Sequence, residues 1–141
     1  MDGVSRTVAE SGEVRLSAGD CTFAYRRLKP GALLVTISGH DTGQFGTTSL
    51  DEIRLELLRN RPLDLFVDAR EALGPSVSVS REWTQFFVLN RDQLRRVNVL
   101  VGSKVVELTI AIAQHLSRTG NLIQIYSDAE TFSALVRSAS A

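Results

Sequence analysis

The feature that most constrains this chain is the spacing of its short apolar runs. Runs that read as strands at 63–67, 97–101 and 122–126 are separated each time by one stretch of helical periodicity. Strands joined through a single helical crossover run parallel, and such crossovers are right-handed. The first helical stretch opens at Ser49, whose spacing to Glu52 suits a capping box, and places Leu50, Ile53, Leu57 and Leu58 on one face before Asn60-Arg61-Pro62 ends it. A loop over 69–79 leads to Ser80, the expected N-cap of a helix whose stripe is Trp83, Phe86, Phe87, Asn90 and Leu94. The third helix opens at Ser103, is apolar almost all round through Val105, Val106, Leu108, Ile110, Ile112 and Leu116, and stops at Thr119-Gly120. A last helix follows Ser127 and Glu130 and carries Phe132, Leu135 and Val136.

Ahead of these units, Cys21, Phe23 and Tyr25 alternate with polar neighbours over 21–28, and a second apolar run spans 33–37. Between them Pro30 is preset for the first central position of a turn and Gly31 is free to take φ > 0 at the second, which gives an antiparallel hairpin. Residues 13–16 offer a further short strand. The predicted order is β-β-α-β-α-β-α-β-α, an α/β fold with a mixed, mostly parallel sheet. Residues 1–12 read as a loose leader, 13–136 as a single domain and 137–141 as a frayed tail. In the later strands Val97, Val99 and Val101 share a face against Asn98, and Ile123 and Ile125 share one against Gln124. A sheet covered equally on both faces reads as continuous apolar runs, so this alternation predicts good cover on one face and partial cover on the other.

Composition narrows the function classes. Lys+Arg and Asp+Glu balance at 16 each, so the net positive charge that phosphate binding rewards is missing, and no nucleic-acid partner is expected. One cysteine, Cys21, excludes an internal disulfide, and with His40 and His115 it has no metal-site spacing. No apolar run approaches the roughly 20 residues of a membrane span, and 1–12 lacks the apolar core of a signal peptide, so a cytoplasmic protein without stable membrane insertion is expected.

The element order, the one-sided strands and the stretch Leu65-Phe66-Val67-Asp68 leading by a loop into a helix resemble the STAS domain, the SpoIIAA-like fold of bacterial anti-sigma-factor antagonists and sulphate-transporter tails. The resemblance covers roughly 21–136. It implies a superhelix of βα units with an antiparallel strand at the start and a regulatory, non-enzymatic module. That family switches on an Asp-Ser-Ser/Thr-Gly-like phosphorylation motif at the start of its second helix. Here Asp68 matches the acidic residue, but Ala69-Arg70-Glu71 replaces the motif, and serines return only at Ser76, Ser78 and Ser80.

Candidate sites follow. Ser78 and Ser80 could take a regulatory phosphate near a helix N-terminus, although capping is the ordinary job of such a serine. Ser103 and Lys104, opening a helix after a parallel strand, could hold an anion without any Walker pattern, or serve as a cap and a solvated lysine. Trp83, Phe86 and Phe87 are core by default, and line a recognition surface or apolar pocket if their helix lies over the less covered region. Asp41-Thr42-Gly43 reads as turn chemistry, and Cys21 as an inert small hydrophobe. No catalytic, metal or cofactor constellation emerges. The expected function is a non-enzymatic interaction module with a protein partner or a second copy of itself; the alternative is a domain that binds a small lipid or apolar anion.

Overall fold

The computed structural model describes residues 3–102, 104, 110 and 121–141. Seven strands form one sheet in sequence order: β1 (Ser5–Val8), β2 (Val14–Ala18), β3 (Cys21–Lys29), β4 (Ala32–Gly39), β5 (Leu63–Ala72), β6 (Leu94–Val101) and β7 (Ile123–Tyr126). β1 to β4 pair antiparallel, and β4 to β7 pair parallel. Three helices fall among the described residues: α1 (Thr48–Arg59), α2 (Val77–Asn90) and α3 (Ala129–Ser140). The fold is a mixed α/β sheet of the predicted class, with the hairpin turning at Gly31 (φ +90°) between paired Lys29 and Ala32. The third predicted helix, with His115 and Thr119-Gly120, lies outside the described residues except for Lys104 and Ile110.

The two ends of the chain differ from expectation. Within 1–12, Ser5–Val8 pairs with β2 as an edge strand, and Arg6 donates to Glu52 of α1. All four strand residues are exposed, so no apolar alternation announces them; backbone pairing alone makes the strand. At the other end α3 continues through Ser140, four residues beyond the expected boundary. Its N-cap is Asp128, which accepts from the Glu130 N–H at 3.1 Å, and Ser127 lies before the helix. Likewise Ser49 is no cap: it is buried in the first turn of α1, where its carbonyl accepts a 2.7 Å hydrogen bond from the Tyr25 hydroxyl.

Strand alternation divides the core in two. Leu33 and Val35, Leu65 and Val67, Val97, Val99 and Ile123 face α1 and α2 in the larger cluster. Ala32, Phe66 and Leu100 face the other way, where α3 covers them with Phe132, Leu135 and Val136. The uneven cover anticipated from Asn98 and Gln124 is therefore present. Asn98 is buried on the α3 side and accepts from the Tyr126 hydroxyl at 3.3 Å.

α1 is tied to the antiparallel half by Glu56, a carboxylate 5 % exposed that accepts from Arg27 Nε at 2.6 Å and Nη2 at 2.8 Å, and from Asn60 at 3.3 Å. Burial pushes its pKa up, but the Arg27 hydrogen bonds and charge outweigh that, and the net direction is down. A carboxyl with a lowered folded pKa stabilises above its unfolded pKa and loses that contribution as pH falls through the folded one. Glu56→Gln is therefore expected to lose about 1–3 kcal/mol at pH 7, with the gap to wild type narrowing in acid. Urea unfolding across pH 3–7 measures this; a gap independent of pH would refute the assignment.

Candidate functional site

β5 runs five residues beyond its predicted end, because Glu71 and Ala72 pair with Ser38 and Gly39 across a register shift. Ala, Arg and Glu are poor strand formers, so pairing overrides propensity here. The connection to α2 shrinks to residues 73–76 and is stitched to the loop after β4: the Leu73 N–H donates to the Gly39 carbonyl at 3.0 Å, and the Ser76 N–H to the Asp41 carbonyl at 3.1 Å. Ser76, not Ser80, caps α2, its hydroxyl accepting from the Val79 N–H at 3.3 Å. Leu94 opens β6 instead of ending the aromatic helix.

α2 lays its aromatic stripe on the sheet. Phe86 is 0 % exposed and Phe87 is buried, so the recognition surface expected of Trp83, Phe86 and Phe87 reduces to Trp83. The Trp83 ring, half-buried, stacks on Phe23 of β3 at 6.5 Å and meets Phe87 at 5.9 Å. Rings that large reach water only by abandoning the core, which decides the matter.

Beneath α2, at the carboxyl ends of the parallel strands, lies a cavity of about 110 Å³. Its floor is Ile37, Val67, Ala69, Val99 and Ile123; Val79, Ser80, Trp83 and Phe87 roof it with Ile110; Leu73 and Pro75 stand at its rim. In open α/β sheets this end of the strands is where ligands bind. Among the described residues the lining is apolar apart from Ser80 and Asp41. Asp41 is 7 % exposed, and one carboxylate oxygen accepts from the Gly43 N–H at 3.0 Å. Burial pushes its pKa up, with the Gly43 hydrogen bond and neighbouring His40 opposing. Next to it the Cys21 thiol is pushed up to about 12, by burial first and then by Asp41 and Asp20, so it stays protonated and unreactive at neutral pH.

The remaining candidates are scattered. Ser78 is exposed in the first turn of α2, its hydroxyl 3.2 Å from that of Ser76, whereas Ser80 is half-buried against the cavity. Lys104 is exposed and lines neither cavity, and Ser103 lies outside the described residues. Asp68 is held by Arg70 at 2.9 and 3.1 Å. Arg95 and Arg96 sit on β6, and Arg95 pairs with Asp64 at 3.3 Å. A second hollow of about 300 Å³ between the antiparallel strands and α1 is polar, with Arg6 and Arg27 already engaged by Glu52 and Glu56. Among the described residues no group of His, Cys, Asp and Glu could hold a metal ion, and no helix is long and apolar enough to cross a membrane.

Asp41 is the one site residue whose role the sequence concealed. Its turn chemistry is real, since the Gly43 bond is an Asx turn, but its burial comes from the neighbouring β5–α2 connection, which no local pattern announces.

No protein-family model matches the sequence, and no curated protein matches it either. Solved structures do. An uncharacterised protein of the DUF3478 family with a SpoIIAA-like fold, from Shewanella loihica, aligns over 96 % of this chain and 95 % of its own at 14 % identity and a TM-score of 0.53. An anti-sigma factor antagonist from Mycobacterium paratuberculosis aligns over 93 % of this chain and 99 % of its own, also at 14 % identity, with a TM-score of 0.60. The chain thus has a SpoIIAA-like fold.

Proposed function

We propose that this chain is a non-enzymatic, cytoplasmic regulatory module that acts by protein–protein contact, with the outer side of α2 and the residues leading into it as its recognition surface. The observation that carries this reading is the concentration of exposed apolar side chains there. Of the seven large hydrophobics exposed among the described residues, Leu73, Val77, Val88 and Leu89 lie on α2 or its approach, at 60, 77, 50 and 77 % exposure. Val77 and Val88 stand about three turns apart on one helix face. Apolar side chains left exposed along one helix and its approach are what a partner covers. The similarity in fold to an anti-sigma factor antagonist, a protein named for its action on another, supports the same class. A second copy of this chain is an eligible partner. A regulatory phosphate, if this surface is switched, belongs on exposed Ser78 and not on half-buried Ser80.

Substitution tests this without disturbing the core. The Val77→Asp/Leu89→Asp double variant is expected to keep its circular dichroism and unfolding midpoint, and to lose at least tenfold in affinity for whatever protein, self included, co-purifies with the native chain from its own cells. Sedimentation velocity covers the self-association case. Undiminished binding by a folded double variant would sink the proposal.

A further inference from the structure

The cavity under α2 has a composition that the contact surface does not account for. A buried carboxylate is ordinarily paired or fully hydrogen-bonded. Among the described residues the Asp41 side chain accepts one hydrogen bond, from Gly43, and Asp41 lines an apolar chamber in which no other charged residue appears among the described lining. Among the described residues no ion pair reaches it; the titratable groups that act on it or that it acts on are His40, Cys21 and Tyr25, and the last two are held in their neutral forms. Void and charge coincide at one point, at the strand ends where this class of sheet opens to ligands.

We propose that this cavity binds a small apolar molecule bearing one protonated amine, its hydrocarbon body between Trp83 and the sheet and its ammonium group against Asp41. Size sets the class. At about 110 Å³ the chamber is smaller than the cavity of about 150 Å³ that holds benzene in an apolar protein core, which suits a short branched chain. Charge sets the head group. An ammonium neutralises the carboxylate and donates to its free oxygen, with the Ser80 hydroxyl lining the same space. An anion would meet Asp41 with like charge, which argues against the lipid or apolar-anion occupant that the sequence suggested. Asp41 also explains why the site need not be basic: Lys104 is not among its lining residues.

The experiment uses three molecules of one shape: isopentylamine, isoamyl alcohol and isovalerate, each titrated into the whole protein and followed by amide chemical shifts. The amine is expected to bind saturably, with shifts centred on the residues lining the cavity, in α2, its approach and β3 to β7, at least tenfold more tightly than the alcohol. Isovalerate is expected not to bind. Asp41→Asn keeps the acceptor for Gly43, so it should fold normally and lose the tenfold preference for the amine. Ala69→Leu, which fills the floor, should abolish binding of all three in a folded protein. Equal binding of amine and alcohol, binding of isovalerate, an unchanged preference in Asp41→Asn, or no saturable binding by any of the three would overturn the proposal. None of these outcomes depends on the outer surface of α2, so the contact reading stands or falls separately.

Discussion

Gly39→Ala is expected to destabilise the protein by about 4 kcal/mol or more, an exceptional cost for one methyl group. Gly39 ends β4 at φ +86°, a conformation costly for any residue with a Cβ. An added Cβ would also strike the Asp20 carbonyl oxygen, with the Asp20 carbonyl carbon at 2.8 Å and Cys21 Cα at 3.0 Å. Those are backbone atoms of the β2–β3 turn and cannot swing aside as a side chain could. Relief would require separating β3 from β4 where Gly39 also pairs with Ala72 and accepts from Leu73, so the rim of the cavity would open with it. The control is Gly43→Ala. Gly43 has φ +100° but open space around its Cα, so only the conformational cost of about 1–2 kcal/mol applies. Urea unfolding of both variants separates the two effects. Equal midpoints would mean that the close approach of β4 to the Asp20 turn is wrong.

That same turn marks the limit of what could be read from residues alone. The parallel half of the sheet was legible because its elements are joined locally: each apolar run is followed by a helical stretch, and Val97, Val99 and Ile123 carry the face preference in their alternation. The Pro30-Gly31 turn was legible for the same reason. Pairing between strands is not local, and that is where expectation and structure part. Ser5–Val8 has no apolar alternation and exists because β2 offers it a partner. Residues 69–72 look like a loop until β4 is seen to extend alongside them. Once β5 lengthens, the connection to α2 must shorten, and the cap passes from Ser80 to Ser76.

The candidate site divides along the same line. The aromatic stripe of α2 was visible at helical spacing, but which members would be buried depended on the rotation of the helix over the sheet. Ser76 starts the helix a turn earlier, and the helix packs with Phe86 and Phe87 inward, leaving Val77, Val88 and Leu89 outside. Asp41 was visible only as a turn residue. Its burial follows from residues 73–76 folding back over it, a contact across more than thirty positions of chain.

Phe86→Ala is the second substitution of large effect, and it tests that rotation. Phe86 is 0 % exposed, packs edge-on to Phe87 at 5.9 Å and Trp83 at 6.5 Å, and carries the Arg54 guanidinium of α1 over its ring at 5.3 Å. It ties α2 to α1 through Arg54 and belongs to the core cluster between α2 and the sheet. Removing a fully buried phenyl ring forfeits its transfer free energy and leaves a cavity, together about 3–5 kcal/mol. For a domain of this length that corresponds to a fall in Tm of about 10 °C or more. Collapse of the site is limited because its neighbours Trp83 and Phe87 already border one void, and moving into the new one enlarges the old. Val88→Ala, two residues on and half exposed, should change stability by less than about 0.5 kcal/mol. Thermal unfolding of the two variants side by side therefore reads the orientation of α2 directly. A Phe86→Ala variant as stable as Val88→Ala would place the aromatic face outward after all, and would turn inward the surface on which the contact function rests.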